Sequence, residues 1–147
     1  VIGDEVRSIG KSAVVGCNRL LYDCDTIPGG VLIDGWVIDF EATFSGDVVL
    51  AGIRGIADSA FEYCDSLTSV TILECIPSIG GRAFYDCKSL TFISIPESVI
   101  SIGDGAFLGC KCLADNYGFV VVKDVLHDYF GTGGDIVISG EVRSIGE

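Results

Sequence analysis

Apolar residues in this chain return in phase rather than in long runs. Ile56, Ile79 and Ile102 lie 23 residues apart, and so do the pairs Ala60-Phe61, Ala83-Phe84 and Ala106-Phe107. Cys64, Cys87 and Cys110 keep the same interval, as do Leu67, Leu90 and Leu113. A weaker copy runs from Ser8 to Leu20, with Val14 in the Phe place. No single unit has enough apolar positions to bury itself. The units must therefore stack coil on coil, with equivalent side chains piled into columns.

Within a unit the pattern predicts three pieces. Leu67-x-x-Val70-x-Ile72 and Leu90-x-x-Ile93-x-Ile95 alternate in their second halves, as short strands do. Such strands pair in parallel about 4.8 Å apart. The Ala-Phe-x-x-Cys stretch has helix-compatible spacing and predicts a short helical turn. The Ile-Gly before it predicts a tight bend, because glycine accepts positive φ at little cost. Pro77 and Pro96 sit between strand and bend, where a missing N–H does least harm. The expected fold is an α/β solenoid of about six coils, roughly 30 Å along the stack from the strand spacing. Phe61, Phe84 and Phe107 form its aromatic column.

Two stretches break the period, Leu21 to Gly52 and Ala114 to Gly140. They resemble each other. Gly35-Trp36-Val37-Ile38 aligns with Gly118-Phe119-Val120-Val121, and Gly46-Asp47-Val48-Val49-Leu50 with Gly134-Asp135-Ile136-Val137-Ile138. Each reads as two strands and a turn, a degenerate coil with a protruding hairpin. Residues 22–30 read as an exposed loop. The chain starts VIGDEVRSIG and ends VISGEVRSIGE, entering and leaving in mid-repeat. A single solenoid over residues 1–147 is expected, either a segment of a longer array or a unit that stacks head to tail. In the stacking case Val1, Ile2, Val6, Ile9, Ile138, Val142 and Ile145 form the joining ends. Such a contact does not close on itself and builds a filament.

Composition narrows the function. The 147 residues carry 9 Lys plus Arg against 21 Asp plus Glu, a net charge of −12. That sign repels a phosphate backbone and an anionic membrane surface. Apolar runs reach only about four residues, far short of a membrane span.

The spacing Leu-x-x-Ile-x-Ile-Pro-x-x-Val-x-x-Ile-Gly-x-x-Ala-Phe-x-x-Cys resembles the BspA-like leucine-rich repeat family. Leu90, Ile93, Ile95, Pro96, Val99, Ile102, Gly103, Ala106, Phe107 and Cys110 carry it nearly in full. Val6, Ile53, Ile76, Val99 and Val142 fill the apolar place before each Ile-Gly type unit. The resemblance implies a leucine-rich-repeat-like solenoid and a secreted or cell-surface protein. It implies adhesion or binding of extracellular protein or glycan, and brings no catalytic residue set.

The candidate chemistry is sparse. Cys17, Cys64, Cys87 and Cys110 could be a metal or redox ladder, but small buried core residues are the simpler reading. Cys24, Cys75 and Cys112 fall outside that ladder. Cys110-x-Cys112 lacks a second ligand pair for zinc. His127, flanked by Asp124 and Asp128, reads as a solvated hairpin histidine rather than a base. Gly10-Lys11-Ser12 lacks the first glycine of a phosphate loop, since Glu5 holds that place, and Gly131-Thr132-Gly133-Gly134 precedes no helix signal. Asp23, Asp25, Asp34 and Asp39 could offer oxygen to calcium, without the spacing of the twelve-residue calcium loop. No cofactor, metal or catalytic residue is assigned. What remains is a surface. With Val70 and Ile72 inward, Ser69 and Thr71 face outward, and the next coil puts Phe92 and Ser94 in those places. These four residues are the candidate ligand face.

Overall fold

The computed structural model describes residues 2–13, 27–73, 76–133, 137–138 and 140–146. Each complete coil has three sides. The first is a parallel sheet of β3 (Gly46–Leu50), β5 (Leu67–Ile72) and β7 (Phe92–Ser94). The second is built on the two-residue strands β4 (Gly55–Ile56), β6 (Ser78–Ile79) and β8 (Ser101–Ile102), also parallel. A hairpin of β1 (Gly30–Ile33) and β2 (Trp36–Phe40) joins this sheet through β2, giving the order β1-β2-β4-β6-β8. The third side is the Ala-Phe-x-x-Cys stretch.

That third side is not helical. Among the described residues the only helix is a single 3-10 turn, Lys111–Leu113. The reason lies in where the N–H groups go. Ser59, Phe61 and Tyr63 donate to the carbonyls of Gly81, Ala83 and Tyr85 in the next coil, at 2.9, 2.7 and 2.9 Å. Arg82, Phe84 and Asp86 repeat this toward Asp104, Ala106 and Leu108. The residues between (Ala60, Glu62, Cys64) close back on Ala57, Ser59 and Phe61. Left-handed backbone at Ser59 and Tyr63, at Arg82 and Asp86, and at Gly105 and Gly109 makes the alternation possible. A helix would turn every N–H along its own axis and leave the next coil without partners.

The glycine of Ile-Gly also acts differently from the expectation. Gly80 and Gly103 are absent from the positive-φ residues. A Cβ on Gly80 would overlap the backbone nitrogen of Asp58, and one on Gly103 that of Gly81. Glycine is there so that neighbouring coils can approach.

The core runs the length of the stack. Phe61, Phe84 and Phe107 are fully buried, with ring centroids 4.8 and 5.3 Å apart and nearly parallel planes. Phe40 of the hairpin extends the column, 4.5 Å from Phe61. Beside it the thiol of Cys87 donates to the carbonyl of Phe61 at 3.0 Å, and that of Cys110 to Phe84 at 2.9 Å. A second cluster places Ile9 on Trp36 and Ala57. The Trp36 ring occupies the space a Cβ at position 55 would need, which explains Gly55 where later coils have Ser78 and Ser101.

The two irregular stretches are coils of the stack. The second holds the hairpin of β9 (Phe119–Val122) and β10 (Val125–Tyr129), with β10 paired in parallel to β11 (Ser144–Ile145). Asp34-Gly35 and Lys123-Asp124 turn the two hairpins, all four with positive φ. The hairpins superpose in pattern at a spacing of 89 residues, Gly30 with Phe119 and Phe40 with Tyr129. Two backbone bonds repeat at that spacing, Glu41 to Gly29 as Phe130 to Gly118 and Arg54 to Gly35 as Arg143 to Asp124. So do Ala57 to Val37 and Gly146 to Leu126. This corrects the alignment of Trp36 with Phe119; Trp36 corresponds to Val125. Neither hairpin protrudes, since Leu32, Val37 and Phe40 and likewise Val120 and Val122 lie in the main core. Of the expected loop at 22–30, residues 22–26 lie outside the described residues, while Ile27 and Gly30 are buried.

Two stability outcomes follow from this packing. Phe84→Ala opens a cavity inside the column and should cost about 3–5 kcal/mol in urea unfolding; a loss under about 1 kcal/mol would contradict the column. Gly55→Ser overpacks the Trp36 site and should cost about 1–3 kcal/mol. Because Trp36 is the only tryptophan, its fluorescence should shift in the folded variant; an unchanged spectrum would show that the ring does not hold that space.

Candidate functional site

The outer face of β3-β5-β7 brings the four sequence-predicted surface residues together. Ser69 lies opposite Phe92, and Thr71 opposite Ser94. On the other side of β5, Asp47 lies opposite Ser69 and Val49 opposite Thr71. The face is therefore two rows, Asp47-Ser69-Phe92 and Val49-Thr71-Ser94. Inward alternation of Val48, Leu50, Val70 and Ile72 fixes which side chains face out. Phe92 is 55% exposed, Val49 54% and Leu73 60%. The three hydroxyl residues are half-buried.

Asp47, Val49 and Leu73 were missed from the sequence. The signal was present, because Gly46-Asp47-Val48-Val49-Leu50 alternates like Leu67–Ile72, but it sat in a stretch set apart as degenerate. Asp47 gives the face a fixed charge. The hydroxyls of Ser69 and Thr68 donate to its carboxylate and hold it below the usual carboxylate range. The Thr68 bond is 2.7 Å. Thr91 donates to the Thr68 carbonyl at 3.1 Å, tying the next coil to the same row. Among the described residues the sheet has no strand beyond β7. A cleft of about 360 Å³ opens there, lined among others by Phe92, Ile95, Leu113 and Lys123.

The in-phase core thiols are placed elsewhere and held quiet. Cys64, Cys87 and Cys110 are buried and unpaired. Burial pushes the Cys64 thiol up to about 11. The hydrogen bond with Cys110, and then burial, push Cys87 up as well. Neutral thiols are poor nucleophiles and poor metal ligands. Cys112 is exposed and unpaired, and Cys17, Cys24 and Cys75 lie outside the described residues. Asp34 is paired with Arg54 at 3.0 Å, and Asp23 and Asp25 are outside the described residues. Lys11 pairs with Glu62.

His127 is not solvated as expected. It sits edge-on to Phe107 at 5.1 Å, at the end of the aromatic column. Its Nε2 is buried and has no hydrogen-bond partner among the described residues, and burial pushes its pKa below the usual imidazole value. The flanking acids do not act on it. Asp124 faces Arg143 at 3.5 Å, and Asp128 accepts from the N–H groups of Gly109 and Tyr129, each at 2.8 Å. The corrected hairpin alignment explains the site: His127 occupies the place of Ile38.

The joining-end residues are spread over both ends. Ile9 is buried on Trp36 and Ala57, Ile2 is half-buried, and Val6 is exposed. Ile138 and Ile145 are exposed, Val142 is half-buried, and Val1 lies outside the described residues.

Residues 50–117 match the family model of the BspA type leucine rich repeat region, with six copies. Over this stretch, a little under half of the chain, the sequence is similar to that family. A solved leucine-rich repeat protein from Bacteroides ovatus is 40% identical to the chain over 43% of its length, with a TM-score of 0.42. The match spans only 16% of that protein. No curated protein matches the chain. The BspA-type region contains β5 and β7, and so Ser69, Thr71, Phe92 and Ser94; Asp47 and Val49 lie just before it.

The His127 environment gives a pH test. A histidine whose folded pKa lies below its unfolded value binds fewer protons folded than unfolded. Its neutral form is favoured by folding, so stability is full above about pH 6.5 and falls as pH drops below that. Urea midpoints at about pH 7.5 and about pH 5.5 should differ less in His127→Phe than in the parent chain. An equal difference in both would show that His127 does not report this burial.

Proposed function

We propose that the chain is a non-enzymatic repeat scaffold that binds a protein or glycan ligand outside the cell or at its surface, in an adhesive role. The observation that carries the reading is the register across β3, β5 and β7. It sets an exposed aromatic, an exposed aliphatic, a fixed carboxylate and a row of hydroxyls on one face, with exposed Leu73 just past the end of β5. Phe92, Val49 and Leu73 supply area to desolvate. Asp47, Ser69, Thr71 and Ser94 supply directional acceptors and donors. Those are the parts a recognition surface needs, and none is a nucleophile or an acid–base pair. The BspA-type repeat and the excess of acidic residues agree with a scaffold held in solution by its turns. No helix among the described residues is long and apolar enough to cross a membrane.

Immobilised matrix-protein and glycan arrays test this reading. Phe92→Ser should retain the fold, because the ring is exposed, and weaken any captured ligand about tenfold or more. Silence of the parent chain across both arrays, or equal binding by the variant, would remove the face from consideration.

A second reading is a structural subunit that assembles end to end into a fibre. Exposed Ile138 and Ile145 near one end favour it. Light scattering across a dilution series with electron microscopy decides it, since a monodisperse monomer at every concentration would exclude fibres.

A further inference from the structure

The two hairpins sit against matching stretches of chain. Residues 2–10 precede the first and 95–103 the second, with Val6 and Ser8-Ile9-Gly10 matching Val99 and Ser101-Ile102-Gly103. Val6 donates to Gly3 at 3.1 Å and Val99 to Pro96 at 3.2 Å. A cation ties each stretch to its hairpin turn. Arg54, paired with Asp34, donates to the carbonyls of Ile2 and Gly3 at 3.0 and 3.1 Å. Lys123 donates to those of Pro96 and Val99 at 3.2 and 2.9 Å. The first module fills the space between stretch and hairpin with an indole. Trp36 is 1% exposed and packs with Ile9, Ala57 and Ile38. In the second module Val125 stands for Trp36, Ile102 for Ile9, Gly146 for Ala57 and His127 for Ile38. Those four residues line one cleft of about 370 Å³. Side-chain size makes it: an indole has become an isopropyl group, and a methyl group a hydrogen.

We propose that this cleft binds a planar aromatic ring carrying an N–H or O–H, an indole or a phenol, in the place that Trp36 fills in the first module. Its volume falls within the roughly 300–1,000 Å³ of small-ligand sites. Val99, Ile102 and Val125 supply apolar walls. His127 supplies the polar contact. Its Nδ1 lies toward Gly146, 3.5 Å from where a Cβ on that residue would stand. A neutral imidazole has one donor and one acceptor to offer. The Lys123 ammonium is engaged by carbonyls, so the cleft is not built for an anion. The site lies by β8 and the second hairpin, apart from the β3-β5-β7 face, and does not rest on the function proposed above.

Titration of the isotope-labelled full chain with indole, followed by amide NMR, is the test. Shifts should concentrate at Ile102, Gly103, Gly105, Val125, His127 and Gly146. p-Cresol should bind at the same residues, and cyclohexanol about tenfold more weakly or worse. The double variant Val125→Trp with Ser144→Gly rebuilds the first module, because Ser144 stands for Gly55, where a Cβ would meet the Trp36 ring. It should bind indole about tenfold more weakly or worse and melt at a higher temperature. Gly146→Leu enters the cleft from another wall and should weaken binding likewise, which keeps the test decisive if the double variant does not fold. The tripeptide Gly-Trp-Gly separates the sources of the ring. Tighter binding than free indole assigns the cleft to a tryptophan side chain of a protein partner, and weaker binding to a free aromatic compound. Absent shifts with both indole and p-cresol, or shifts confined to other residues, would overturn the proposal. So would equal binding of cyclohexanol, or undiminished indole binding in the folded variants.

Discussion

Everything in this structure depends on where alternate peptide groups of the Ala-Phe-x-x-Cys turn point. Three N–H groups per coil reach into the next coil and the groups between them close locally. A chain of 23 residues per unit cannot build a closed core of its own. The ladder lets it borrow its neighbour's, on all three sides at once. The two parallel sheets hold two sides and the turn ladder the third. Buried peptide groups are satisfied without helices. The Phe column and the thiols beside it then fill a space whose shape the backbone has already set.

The cysteines illustrate the economy of the arrangement. In-phase cysteines invite a metal or redox account. Here the sulfur is a small core atom and the S–H is a donor aimed one coil back, at the carbonyl of Phe61 or Phe84. That carbonyl already accepts an N–H from within its own coil, from Cys64 or Cys87. The thiol therefore satisfies a second lone pair that lies where no water reaches. Alanine would fit the volume but leave that lone pair bare.

Much of this was legible from residue types alone, and the failures have physical causes. Strands at Leu67–Ile72 and Phe92–Ser94 and the buried aromatic column were readable because apolar periodicity reports burial. The two strands read in the first irregular stretch, at Trp36 and at Gly46, lie in different sheets, and the hairpins instead pair β2 with β1 and β10 with β9. The helical turn was misread because Ala-Phe-x-x-Cys spacing serves a helix and a chain of turns equally. The third unit held the missing signal, since Gly105 and Gly109 mark the two left-handed positions that Ser59, Tyr63, Arg82 and Asp86 conceal. His127 was misplaced by an alignment that matched Gly35 with Gly118 and hid its correspondence with Ile38. On the candidate face, Ser69, Thr71, Phe92 and Ser94 were found by simple alternation. Asp47 and Val49 were not, because pairing between β3 and β5 joins segments about twenty residues apart and only the fold makes it visible.

The one-way donation on the turn side has an electrical consequence. The alternate peptide groups that reach the next coil all point along the stack in the same sense, so their dipoles add. The solenoid has a partial positive pole where the last turn, Gly105 to Gly109, faces the second hairpin. Asp128 sits there with its carboxylate 2.8 Å from the Gly109 nitrogen. A side chain that looked like the companion of a histidine is the acceptor that receives the outward N–H of the last turn.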